Sequence, residues 1–301
     1  MSSLIENGRI ALQKKDFGGV LEHVTFLFKQ LHRLDELPPF PVGVHEADHL
    51  LQEVGRQLWH EQKSSLQEGP SLKGSLFIAT KISTTGGHTA LINDVAANLG
   101  ERSLGLWLTG YNTEKEKICS SKALARSGLA DITLNFGDHK GVDCARQMIN
   151  ALKVLGPARI LLVHGAADCV AVVVAAAAIC MGCAVWLLHI SDNKPSSGIY
   201  LDKVSIIDFT PRACAVTRDL LKLPSAWLPL SCPDPGAERS PVLRSGKIRT
   251  AVSGRVVKIK RMENPAYPEL VVTILQATGG EHVHIGPTTL RLRRQVERAL
   301  R

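Results

Sequence analysis

The sequence predicts an α/β protein: a doubly wound, mainly parallel sheet, preceded by a helical segment and followed by a second, incomplete α/β domain. Three observations carry this reading. From residue 75 onward, short apolar runs alternate with helix-length segments, the rhythm of successive βαβ units. Runs such as Ile160-Leu161-Leu162-Val163 and Val185-Trp186-Leu187-Leu188 are apolar without a break, as strands covered on both faces must be. A turn-rich stretch without periodicity, residues 233–243, is then followed by a fresh strand-helix-strand pattern.

The elements follow in order. Ile10, Leu12, Phe17, Val20, Leu21, Val24, Phe28 and Leu31 recur at mostly helical spacing and predict a helical hairpin over residues 3–34, with its turn near Asp16-Phe17-Gly18-Gly19. The segment from Lys14 to Val20, with the amphipathic helix after it, loosely resembles a single tetratricopeptide unit. The prolines of 37–42 end the hairpin, and a further helix is expected over 45–63. The Rossmann-like pattern then runs strand 76–79, helix 89–99, strand 104–108, helix 120–127, strand 132–135, helix 142–155, strand 159–163, helix 168–181, strand 184–188 and helix 211–221. Beyond the linker come strand 248–253, strand 256–260, helix 268–278, strand 282–285 and helix 290–300. The organisation expected is a helical region 1–67, a Rossmann-like domain 70–232, a linker 233–243 and an incomplete α/β domain 244–301. A domain of that last size buries too little apolar surface to be comfortable alone.

Composition is that of a folded globular chain, 45% apolar and 21% charged. The most apolar stretch, 158–190, is broken by His164, Asp168 and Gly182 and reads as strand, helix, strand, not as a membrane span. The start, MSSLIENGRI, shows neither a signal sequence nor an anchor, so a cytoplasmic location is expected. Seven scattered cysteines read as reduced core residues, Cys180-Met181-Gly182-Cys183 included. The net charge of +8 sits wholly after residue 243, where twelve Lys or Arg face four Glu. That segment lacks the interleaved aromatics of a nucleic-acid surface and suits the phosphates of a small ligand or an acidic partner.

Candidate chemistry gathers where strands end. A strand runs into Ser83-Thr84-Thr85-Gly86-Gly87-His88 just before a helix. Paired glycines there let backbone N–H groups approach a ligand, and a neutral His88 at the mouth would accept a hydroxyl proton; a plain tight turn is the alternative. His164 ends another strand, and Asp168 reads as the cap of the following helix. His189, Asp192 and Asn193 lie in the most polar loop after a buried strand and face either a crevice or solvent. His45-Glu46-Ala47-Asp48-His49 matches the H-E-x-x-H zinc signature, although no third ligand motif follows.

The order of several motifs resembles bacterial glycosyltransferases of the two-domain GT-B type. These are Ala79-Thr80-Lys81-Ile82-Ser83 through Gly86-Gly87-His88, His189 through Gly198, Ile207-Asp208-Phe209-Thr210-Pro211, Val252-Ser253-Gly254-Arg255 and His282-Val283-His284-Ile285-Gly286-Pro287. The resemblance spans roughly residues 75–290. It implies a nucleotide-sugar co-substrate, no cofactor, no required metal, and a carbohydrate, peptide or lipid-linked acceptor. By position it implies that Gly86, Gly87 and His88 line the catalytic crevice. It implies equally that Ser253, Gly254 and Lys258 approach the donor diphosphate. The chain departs from the pattern in the loop after the fifth strand, which is commonly His-x-Asp-His-like and here reads Ser191-Asp192-Asn193-Lys194, and ends before the glycine-rich turn and ribose-binding Glu of the family's donor half. A second chain completing that half is therefore one expected partner. Two other classes compete: a non-catalytic sugar- or nucleotide-binding or assembly protein, and a zinc hydrolase using His45 and His49.

Overall fold

A computed structural model describes residues 2–32, 43–63, 74–83, 87–99, 103–110, 124, 128–129, 132–190, 195–229, 249–253 and 267–285. The expected helices 120–127 and 290–300 and the expected strand 256–260 fall wholly or mainly outside them, as do Gly86, Asp192, Asn193, Gly254 and Lys258. The chain divides into two compact units, Met1–Ser231 and Cys232–Arg301.

The first unit opens with α1 (Ser2–Gln13), α2 (Phe17–Leu31) and α3 (His45–Lys63). The hairpin turn falls earlier than the glycines suggested. Asp16 caps α2 by accepting a hydrogen bond from the Gly19 N–H at 2.9 Å, which draws Phe17, Gly18 and Gly19 into the first helical turn. Lys15, at φ 55°, takes the reversal instead.

The sheet follows: β1 (Ser75–Ala79), α4 (Gly87–Asn98), β2 (Ser103–Leu108), β3 (Thr133–Asn135), α5 (Gly141–Leu155), β4 (Arg159–Val163), α6 (Cys169–Cys180) and β5 (Ala184–His189). After it come β6 (Val204–Asp208), α7 (Pro211–Ala215), a π-helical turn (Val216–Leu220) and β7 (Ser225–Trp227). The seven strands lie in the order β3-β2-β1-β4-β5-β6-β7, and every neighbouring pair is parallel. The fold class is the expected one. β6 and β7 are additions: the described residues 195–203 before β6 form no helix, and β7 has only three residues, too few for a periodic signal.

Strand alternation feeds two cores. Leu76, Ile78, Ile160, Leu162, Val185 and Leu187 pack with α1, α2, α3, α5 and α6, whereas Phe77, Ala79, Leu106, Leu108, Leu161 and Val163 pack with Leu91 and Ile92 of α4. α6 is buried continuously from Cys169 to Ala178 because it lies between the sheet and α3. The two helices meet at Gly55, where an added Cβ would stand 2.5 Å from the Val173 carbonyl oxygen and 2.7 Å from the Ala176 Cβ. Gly55→Ala is therefore expected to cost about 1–3 kcal/mol despite its better helix propensity, seen as a lower urea midpoint at unchanged slope.

In the second unit, β8 (Arg249–Ser253) and β9 (Glu281–Ile285) pair in parallel, with α8 (Tyr267–Thr278) between them in sequence. Among the described residues, no helix is long and apolar enough to cross a membrane.

Candidate ligand crevice

The strand order reverses direction between β1 and β4. The chain leaves β1 toward β2 on one side and enters β4 on the other, so the loops at their carboxyl ends part and leave a crevice. Thr80, directly after β1, and Gly165, two residues after β4, form its floor.

That floor is fixed by one carboxylate. Asp168 is buried and caps α6, accepting from the Ala171 N–H at 3.1 Å with one oxygen. Its other oxygen accepts from the hydroxyls of Thr80 and Thr109, each at 2.5 Å. The Thr80 hydroxyl in turn accepts the Gly165 N–H at 2.7 Å, a close approach that the missing side chain of Gly165 permits. Asp168 thus ties the ends of β1, β2 and β4 together. Burial lifts its pKa, against the pull of the two hydroxyls and the helix N–H groups. The cap was legible in the sequence, but its partners were not.

His88 is the second residue of α4 and half-buried, next to the exposed Gly87. Burial lowers its pKa, the His164 carbonyl oxygen works in the opposite sense, and the Lys81 charge adds to the lowering. The ring is consequently neutral at physiological pH. This histidine stands on the crevice side, within electrostatic reach of His164.

His164 is buried, and its Nε2 lies 2.9 Å from the Ser197 carbonyl oxygen. A carbonyl only accepts, so Nε2 carries the proton. Burial, reinforced by His88 and His189, takes its pKa down to about 3 against the Ser197 bond, and the ring stays neutral. His189 is the last residue of β5, also buried, with Nδ1 2.8 Å from a carboxylate oxygen of Asp208 at the end of β6. Burial opposes ionisation of Asp208, yet the bonds from His189 and from Ser225, at 2.5 Å, prevail and hold its pKa below the usual range. Neither Asp208 nor Ser225 was given a role from sequence, because Asp208 meets His189 through the β5–β6 pairing and Ser225 meets Asp208 from the neighbouring strand.

The zinc signature resolves differently. His45, Glu46 and His49 are exposed on α3, and the His45 ring contacts Tyr200. Asp48, between the histidines, is the buried member: it accepts from the N–H groups of Gly198 and Tyr200 at 2.7 and 2.9 Å. Among the described residues no three His, Cys, Asp or Glu side chains converge as ligands. The motif is a helix anchored by its aspartate. Of the residues expected at the donor side, Ser253 ends β8. Cys180 is exposed, and Cys183 donates to the Pro157 carbonyl at 3.0 Å, so the Cys180/Cys183 pair is not bridged.

A second depression, of about 460 Å³, lies against α4 and β5 and is lined by residues including Leu91, Asp94, Arg159, Trp186 and Phe209. The Arg159 guanidinium stacks 4.1 Å from the centre of the Trp186 ring there.

No family model matches the chain, and no curated protein matches its sequence. Among solved structures, a Listeria monocytogenes protein described as a UDP-N-acetylglucosamine 2-epimerase superposes with a TM-score of 0.43 at 13% identity, over 76% of this chain and 67% of that one. A mutant O-GlcNAc transferase of Thermobaculum terrenum superposes with a TM-score of 0.47 at 12% identity, over 99% of this chain. The chain spans 56% of that transferase's length. Neither likeness is close enough to carry functional meaning for this chain.

Proposed function

We propose that the crevice at the carboxyl ends of β1 and β4 handles a nucleotide sugar, and that the chain contributes the acceptor side of a GT-B-type sugar transfer. The observation that carries this reading is the all-parallel strand order, whose reversal between β1 and β4 lies beside the neutral half-buried imidazole of His88. In this reading residues 70–232, backed by the helices of 1–67, form the acceptor domain. Residues 233–243 are a linker, and residues 244–301 belong to the donor side.

The chemistry assigned to the residues is simple. His88 takes the proton of the acceptor hydroxyl, and the freed oxygen attacks the anomeric carbon. The bond from that carbon to the diphosphate breaks, and the nucleoside diphosphate leaves with the electron pair. Ser253, Gly254 and Lys258 are the proposed donor contacts, with the cationic segment meeting the charge that develops on the leaving group. Gly87 lets the ligand approach the start of α4, and Gly86, Asp192 and Asn193 are proposed contributors to the same crevice.

The test is release of nucleoside diphosphate from a panel of nucleotide sugars, with and without acceptor alcohols. His88→Ala is expected to lower kcat about 100-fold or more, the usual worth of a general base. The acid limb of the wild-type pH profile is expected below the ordinary histidine range, since the folded pKa is lowered and the base stays unprotonated further into acid. Equal activity in both proteins would remove His88 from the mechanism.

A further inference from the structure

The fold spends one nitrogen of each of two buried imidazoles and leaves the other without a partner. His164 donates from Nε2 to the Ser197 carbonyl, and its Nδ1 is buried with no hydrogen bond. His189 donates from Nδ1 to the Asp208 carboxylate, and its Nε2 is buried with no hydrogen bond. In each case the partner is an acceptor, so a neutral ring has its tautomer dictated and presents a lone pair at the free nitrogen. A buried acceptor without a donor is costly, and two in one neighbourhood call for an explanation.

They are in one neighbourhood. Leu162 of β4 pairs with Leu187 of β5, and two residues further along each strand stand His164 and His189. Parallel neighbours lie roughly 5 Å apart. The two rings also influence one another electrostatically. Both residues stand at the carboxyl ends of their strands, and both free nitrogens are buried.

We infer that His164 and His189 form an acceptor pair that takes two hydroxyl donors of a sugar or other polyol at the inner end of the crevice. The inference deepens the transfer reading and rests on the same crevice. It gives the site a polarity. Two inward lone pairs disfavour phosphate oxygens and favour hydroxyls, so the pair belongs to the sugar and not to the diphosphate. Asp208 and Ser225 are positioning residues: the Ser225 hydroxyl and the His189 N–H hold the carboxylate, and the carboxylate holds the tautomer.

Asp208→Asn tests the polarity. An asparagine that keeps the Ser225 bond through its oxygen turns its amide toward His189, so that Nδ1 accepts, the proton moves to Nε2, and an acceptor becomes a donor. The experiment is ¹⁵N NMR of the histidine rings in the full chain, titrated with glucose and, separately, with inorganic phosphate. In the wild-type protein glucose is expected to shift His164 Nδ1 and His189 Nε2, and phosphate neither. Asp208→Asn is expected to flip the His189 tautomer and weaken glucose about tenfold, the worth of one hydrogen bond lost to an unpaired group. His189→Phe, which removes the lone pair without adding charge, is expected to weaken glucose similarly.

The inference is overturned if glucose moves neither nitrogen, if the tautomer flips and affinity does not change, or if an internal water bridging the two nitrogens persists at saturating glucose. Glucose binding that responds to these variants in a chain that turns over no nucleotide sugar would support the pair and count against the transfer reading. Turnover with both nitrogens unperturbed would do the reverse.

Discussion

Raising the pH from 5 to 8 is expected to destabilise the first unit by about 2.5 kcal/mol through a single carboxyl, that of Asp48. This group is fully buried where α3 meets the segment after β5, and burial raises its pKa from 3.8 to about 7 against the pull of three backbone N–H groups, those of Gly198, Tyr200 and Ile199. In the folded state it keeps its proton to near neutrality, whereas the unfolded chain releases it near pH 4. Between those values the unfolded state binds fewer protons, so stability falls as pH rises and levels off above the folded pKa. Burial raises the pKa of Asp168 as well, so the quantity to measure is the difference between wild type and Asp48→Asn in urea unfolding at several pH values. The asparagine variant is expected to lose this slope. A stability difference that grew with pH would mean that the three N–H donors, not burial, dominate.

Asp168→Ala is expected to cost about 3 kcal/mol, with the loss felt at the crevice as well as in the core. Alanine removes the cap of α6, worth about 1 kcal/mol on its own, and leaves the hydroxyls of Thr80 and Thr109 without their shared acceptor. Asp168→Asn keeps one acceptor oxygen and should recover part of the loss. Urea unfolding gives the magnitude, and amide exchange at Thr80 and Gly165 gives the location. A loss below about 1 kcal/mol would reduce Asp168 to an ordinary helix cap.

What the sequence made visible, and what it concealed, divides along the range of the interactions. The strands from 76 to 188 and the helices Gly87–Asn98, Gly141–Leu155 and Cys169–Cys180 were legible because each is a local pattern of apolar residues, and Asp168 was legible as a cap because capping spans three residues. β6 was hidden because the described residues before it, 195–203, form turns and no crossover helix, and β7 by its brevity. The partners of the site residues were hidden by distance along the chain: Thr80 meets Asp168 across 88 positions and Asp48 meets Gly198 across 150. The histidine motif on α3 misled for the same reason. Its spacing fits a zinc site, but the residue that the fold uses is the aspartate between the histidines, which no local pattern distinguishes.

The histidines of the crevice follow from the same physics. His88, His164 and His189 sit at the carboxyl edge because a parallel sheet gathers the loops of one edge into one place. His88 and His164 are kept uncharged by burial, and the strand order sets which loops meet. The proposed binding of a nucleotide sugar at this edge is thus the central point to test.

Amide chemical-shift mapping of the full chain with a nucleoside-diphosphate hexose measures it directly. The account predicts, within the first unit, that the largest shifts fall at Thr80, Lys81, Gly87, His88 and Gly165, around the ends of β1 and β4. Shifts confined to the depression at Arg159, Trp186 and Phe209, with those five amides unmoved, would contradict it.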